Sequence, residues 1–223
     1  MLDTILRRRP DGIVLTGTLH TKASRTRLSR SGIPIVESWD LAPRPLDMLV
    51  GFSHEAVGVA IARYLTAEGY RRFAVVTLDD PRGQRRCDSL VGELASQGIG
   101  DVPRVVLPPP ATVNLGREGL QHLLAAGECP EVLVCSSDTL AHGVLVEAAE
   151  RGIRVPDDLA VMGFGDLNIA AHLQPSLSTV HINGAEIGLQ AARALLQRLD
   201  HPDEEPVKVR IDTGFSIIER QST

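Results

Sequence analysis

Short apolar runs alternate along the whole chain with amphipathic stretches of helical length, and nothing else in the sequence narrows the fold as much. Residues 12–16, 33–37, 48–51, 73–77, 104–107, 132–135 and 159–163 are brief, rich in β-branched side chains and bounded by turn formers, the pattern of buried strands. Between them, Ser53 to Gly69 sets Val57, Ala60, Ile61, Tyr64 and Leu65 on one helical face, with Ser53 as N-cap and Gly69 as the stop. Similar stripes run through residues 85–97, 116–126, 138–152 and 184–199. Strands and helices in this order make an α/β architecture of parallel sheets flanked by helices and joined by right-handed crossovers. Residues 200–206, rich in Pro and acids, read as a linker, and 207–219 alternates like a terminal hairpin or strand pair.

Charge bounds the partners. Across 223 residues, 23 basic and 28 acidic side chains give a net charge of −5, which argues against nucleic-acid binding by the chain as a whole. The balance is uneven: Arg7, Arg8, Arg9, Lys22, Arg25, Arg27 and Arg30 face only Asp3 and Asp11 in the first thirty residues, which reads as a solvated basic edge. No apolar run approaches the roughly 20 residues of a membrane span. Cys87, Cys129 and Cys135 are odd in number and lack metal-ligand spacing, so a disulfide framework is not expected and a reducing cytoplasm is. Leu2, Ile5 and Leu6 line one side of a helix ahead of the first strand. Because a parallel lobe seldom starts with a lone helix, the chain is expected to be a fragment of a longer protein or to start inside one.

Two segments carry a family resemblance: Arg151-Gly-Ile-Arg-Val-Pro-Asp-Asp-Leu-Ala-Val-Met-Gly-Phe-Gly-Asp166, followed by Pro175-Ser-Leu-Ser-Thr-Val180, and Ser137-Asp-Thr-Leu-Ala-His-Gly143. With Arg9-Pro-Asp-Gly-Ile-Val-Leu-Thr16 and Gly32-Ile-Pro-Ile-Val-Glu37 in the same order, the chain resembles the effector-binding domain of the LacI/GalR family of transcriptional regulators. Val36-Glu-Ser-Trp-Asp40 and Asp47-Met-Leu-Val-Gly-Phe-Ser53 are similar to the gluconate-repressor branch.

The resemblance implies a periplasmic-binding-protein-like fold of two lobes, each a parallel sheet flanked by helices, with three crossovers and an effector cleft between them. The N-terminal lobe would be residues 1–51 plus 184–199, incomplete at its start. The C-terminal lobe would be 52–180 plus 206–223, and the DNA-binding headpiece would be absent. The implied partners are a sugar or sugar-acid effector, a second copy in a homodimer, and operator DNA through the missing headpiece, with no membrane and no cofactor.

Carried over residue by residue, the resemblance singles out Arg86 in Arg86-Cys-Asp-Ser-Leu90, where a planar guanidinium suits a carboxylate or paired hydroxyls. Its alternative is a solvated helix charge. Phe52 matches an aromatic at the lobe crossover, against plain core packing. Trp39 follows a strand and reads as a stacking wall or as packing. Ser137 stands where the family usually has Asn, and Asp138 either accepts ligand hydroxyls or caps its helix. Asp166 is alone, because Gly165 replaces the usual first Asp. Losing that carboxylate reduces repulsion of an anion and favours an aldonate over a neutral galactoside. The histidines show no ligand pairing, so no metal is expected. Enzyme motifs such as G-x-S-x-G and the phosphate-cradling G-x-x-x-x-G-K-[ST] do not occur, which leaves a transport sugar-binding protein as the alternative to a repressor.

Overall fold

The central apolar runs become strands covered on both faces, whereas those at residues 13–16 and 104–107 keep an open face. The computed structural model describes residues 2–18, 20–201 and 208–223. In chain order the elements are α1 (Leu2–Arg7), β1 (Ile13–Thr16), α2 (Lys22–Arg30), β2 (Ile35–Ser38), β3 (Met48–Gly51), α3 (His54–Ala67), β4 (Phe73–Leu78), α4 (Pro81–Ser96), β5 (Arg104–Leu107), α5 (Val113–Ala125), β6 (Val132–Cys135), α6 (Asp138–Glu150), β7 (Ala160–Met162), β8 (Thr179–His181), α7 (Gly184–Asp200), β9 (Arg210–Asp212) and β10 (Ser216–Ile218). The chain forms two units, Met1–Ser53 with Asn183–Gly214, and His54–Ile182 with Phe215–Thr223.

Unit 1 holds a parallel sheet in the order β1-β2-β3-β9. β2 and β3 are buried along their whole length, and Ile13, Leu28 and Ile35 form a core that Leu2 and Leu6 of α1 join. β1 lies at the edge, and its Val14 is 52 % exposed. The basic stretch 22–30, expected as a solvated charged edge, is a helix. Thr21 caps it through a hydrogen bond from the Ser24 amide, but Leu28 is its sole buried side chain, so it carries no apolar stripe to announce itself.

Unit 2 holds the parallel sheet β5-β4-β6-β7 and a separate antiparallel pair, β8 with β10. Val76, Leu120, Leu133, Leu140, Val144, Val161 and Leu177 lie in its core. The closing segment differs from the hairpin expected for 207–219 and from its assignment to one lobe. β9 pairs with β3, with Leu49 opposite Arg210, whereas β10 pairs with β8, with Ile217 opposite Val180. Two strands that find separate sheets cannot pair with each other. Most of the expected linker, residues 202–206, lies outside the described residues.

α3 against α4 and α5 against α6 pack backbone to backbone. A Cβ on Gly58 would collide with the Arg86 carbonyl oxygen, and one on Gly143 with the Val113 carbonyl oxygen. Gly92, also inside α4, has open space where its Cβ would stand. The same substitution should therefore change sign with position. Gly58→Ala and Gly143→Ala are each expected to cost about 1–3 kcal/mol through overpacking. Gly92→Ala should stabilise by up to about 1 kcal/mol through helix propensity. Thermal unfolding followed by circular dichroism checks both.

Candidate ligand-binding site

In open parallel sheets ligands sit beyond the carboxyl ends of the strands, and most of the sequence-predicted residues lie there, some in each unit. In unit 2, Asp80 caps α4 by accepting hydrogen bonds from the Arg82 and Gly83 amides, with Pro81 opening the helix. This starts α4 directly after β4 and brings Arg86 to the end of the sheet. Arg86 is only 8 % exposed, which removes the solvated-charge alternative.

A histidine, a carbonyl oxygen and an aromatic ring meet its guanidinium. Nη1 donates to His54 Nδ1 at 2.8 Å, Nη2 donates to the Ser136 carbonyl oxygen at 2.9 Å, and Cζ lies 3.7 Å from the centroid of the Phe164 ring. Arginine has only donors, so His54 Nδ1 must accept and the His54 ring is neutral. His54 and Phe164 were not singled out from the sequence as ligand-site residues. Their signal is spatial, since one opens α3 and the other follows β7.

Ser137 caps α6 by accepting from the Leu140 amide. The cap is thus the serine, and Asp138 sits inside the first turn and is fully buried. Its Oδ1 accepts from the Thr179 hydroxyl at 2.6 Å, its Oδ2 accepts from the Leu167 amide at 2.7 Å, and its own amide donates to the Phe164 carbonyl oxygen at 3.0 Å. A Cβ on Gly163 would strike Asp138 Oδ1, so glycine is required there. Burial, aided by the charge of Asp166, pushes the Asp138 carboxyl above the usual carboxylate range, against the opposing pull of its hydrogen-bond donors.

Asp166 has φ +50° and follows Gly165 at φ +125°. Its carboxylate accepts from His181 Nδ1 at 2.9 Å and from Arg220 Nη2 at 2.7 Å. Burial pushes the Cys135 and Cys87 thiols up, which keeps them protonated. A concavity of about 650 Å³ lies at the opposite strand ends of this unit and includes Arg71, Arg72, Asp101 and Glu128 in its lining.

Unit 1 builds its own set of groups. Phe52, at the end of β3, is 1 % exposed, as core packing requires. Trp39 has φ +65°, donates its amide to the Val50 carbonyl oxygen, and would meet a Cβ on Gly184 2.9 Å from its Cη2, so its ring rests on the start of α7. Next to it the fully buried Asp40 accepts from the Thr18 hydroxyl at 2.7 Å and the Leu41 amide at 2.8 Å. Glu37, also fully buried, lies 2.8 Å from His20 Nε2 and 4.0 Å from Arg25. Among the described residues no cluster of His, Cys, Asp and Glu is placed to hold a metal ion, and no helix is long and apolar enough to cross a membrane.

A periplasmic binding protein-like domain model matches residues 62–223. The chain is 35% identical to the HTH-type transcriptional regulator GntR of Pseudomonas aeruginosa over 216 residues, 96% of this chain and 62% of that regulator. It therefore spans about three fifths of the length of the curated relatives it matches. Among solved structures, the transcription regulator GntR from Chromobacterium violaceum superposes with TM-score 0.92 at 37% identity, covering 99% of this chain and 81% of the other. A LacI-family regulator from Silicibacter pomeroyi also reaches 0.92, at 29% identity, covering 99% and 67%.

The buried pair Thr179 and Asp138 yields a pH test. Thr179→Val removes one donor from a desolvated carboxylate and should cost about 1–3 kcal/mol at neutral pH. The raised Asp138 pKa means that the acid binds its proton more readily in the folded chain than in the unfolded one. Its favourable contribution is thus complete at low pH and is lost as pH rises through the folded value. The penalty of Thr179→Val is expected to shrink as pH falls and Asp138 takes up its proton. Thermal unfolding of both proteins between pH 4 and pH 8 measures the difference.

Proposed function

Since the chain belongs to the LacI family of transcriptional regulators, we propose that it is the part of such a regulator that senses a small sugar acid of the gluconate type. The observation that carries this reading is the buried Arg86 guanidinium, held by a neutral imidazole, a carbonyl oxygen and an aromatic face. A guanidinium fixed in this way presents a planar fork of donors, which makes stronger, charge-assisted hydrogen bonds to a carboxylate than to a neutral hydroxyl. Gly165 adds no second carboxylate to the loop after β7, which lowers the repulsion an anion would meet. Identity of 35% and 37% to regulators named GntR supports the same branch.

The regulator works in the cytoplasm as a homodimer, and operator DNA is contacted by a helix-turn-helix segment of the kind that its relatives' names describe. The effector acts by population shift. It binds one conformation of the sensing part more tightly than another, and that difference in affinity is the free energy available to change DNA binding. Arg86, Trp39 and Ser137 are the effector-site residues of this reading, with the buried Phe52 as support at the end of β3. Arg86 takes the acid group, Trp39 offers a stacking face, and Ser137 and Phe52 shape the ends of β6 and β3. Asp138 and Asp166 contribute by fixing the loop between them.

Gluconate should raise the Tm of the chain, and glucose should not. At a concentration of 100 times Kd the stabilisation is about 2.7 kcal/mol. Arg86→Ala should abolish the rise, and so should Arg86→Met, which keeps the bulk of the side chain. A rise of unchanged size in folded variants would exclude Arg86 from the site, and no rise with the unaltered chain would exclude gluconate.

A further inference from the structure

Asp166, chosen from the sequence as a ligand contact, has its carboxylate already engaged, and the partner it orients is better placed to meet a ligand. We propose that His181 is an effector-binding residue, presenting Nε2 as a hydrogen-bond acceptor to a ligand hydroxyl, with Asp166 and Arg220 as its positioning pair. This deepens the sugar-acid reading above and rests on it.

The geometry assigns the tautomer. Asp166 Oδ2 lies 2.9 Å from His181 Nδ1, and Oδ1 receives Arg220 Nη2 at 2.7 Å. A carboxylate held by arginine can only accept, so His181 Nδ1 donates, and the tautomer compatible with this bond carries its lone pair at Nε2. Arg220 is anchored in turn. Its Nη1 donates to the Leu177 carbonyl oxygen and its amide to Ser178 Oγ, both at 2.8 Å.

The backbone is bent to the same end. Gly165 and Asp166 have consecutive positive φ angles, and the Gly165 amide donates to the Val180 carbonyl oxygen at 2.9 Å while Gly165 bridges to His181. A non-glycine residue in this region carries strain, which persists where the surroundings enforce it. The His181 side chain is 43 % exposed, at the carboxyl end of β8 and beside the Gly163–Asp166 loop.

Two isosteres separate contact from strut. Asparagine places its amide near Nδ1 and can keep the bond to Asp166, whereas glutamine places its amide near Nε2 and can keep the ligand contact. Calorimetric titration of gluconate into the chain and into His181→Asn and His181→Gln is expected to show at least about tenfold weaker binding for His181→Asn. His181→Gln should stay within about threefold of the unaltered chain, and both variants should retain its circular dichroism spectrum. Equal binding by all three proteins, or weaker binding by His181→Gln than by His181→Asn, overturns the assignment of His181 while leaving the sugar-acid reading intact. Failure of the unaltered chain to bind gluconate overturns both.

Discussion

A carboxylate removed from water must be met by donors, and the donors that meet Asp138 determine the shape of one end of unit 2. Thr179 on β8 and the Leu167 amide beyond β7 converge on its two oxygens, and its own amide reaches back to Phe164. Three stretches far apart in sequence are therefore held together by one buried charge. The loop between β7 and the turn at residues 170–172 has little freedom once those bonds form. Gly163 completes the arrangement, because any side chain there would displace the carboxylate. The course of the loop sets the positions of Phe164 against Arg86 and of Asp166 against His181 and Arg220.

The charges of this region divide by what surrounds them. Asp138 is sealed and serves the fold. Asp166 sits between a cation and an imidazole and fixes the direction of the latter. Arg86 is buried, and its guanidinium is oriented by His54, the Ser136 carbonyl oxygen and the Phe164 ring. The carboxylates that meet arginines on the outer helices behave differently. Glu147, between Arg117 and Arg151, is held below the usual carboxylate range by those hydrogen bonds and serves as an anchor between helices.

The fold class was legible because period and burial agree: β4 and β6, two apolar runs, are covered on both faces, and the helical stripes fall where helices form. α2 was not legible as a helix, because a segment with one buried leucine has no period to read. The separation of β9 from β10 was invisible for another reason. Alternation along 207–219 suits a hairpin and two unrelated strands alike, and the partners that decide between them, Leu49 and Val180, are far away in the chain. At the site, the resemblance picked out Arg86 and Asp166, but the roles of their neighbours are properties of three dimensions. His54, Phe164 and His181 belong to different elements, and no local spacing marks them as partners.

The glycine seam between α5 and α6 has a mechanical consequence. At this contact a carbonyl of each helix fills the place of a side chain on the other, so at the two glycines there is no methyl to compress and no rotamer to turn. Gly116 and Gly143 face the backbone directly, and Arg117, Glu147 and Glu150 bind the margin. The start of α6, where Ser137 and Asp138 meet the loop after β7, is thereby braced against α5 by backbone contact as well as by side chains.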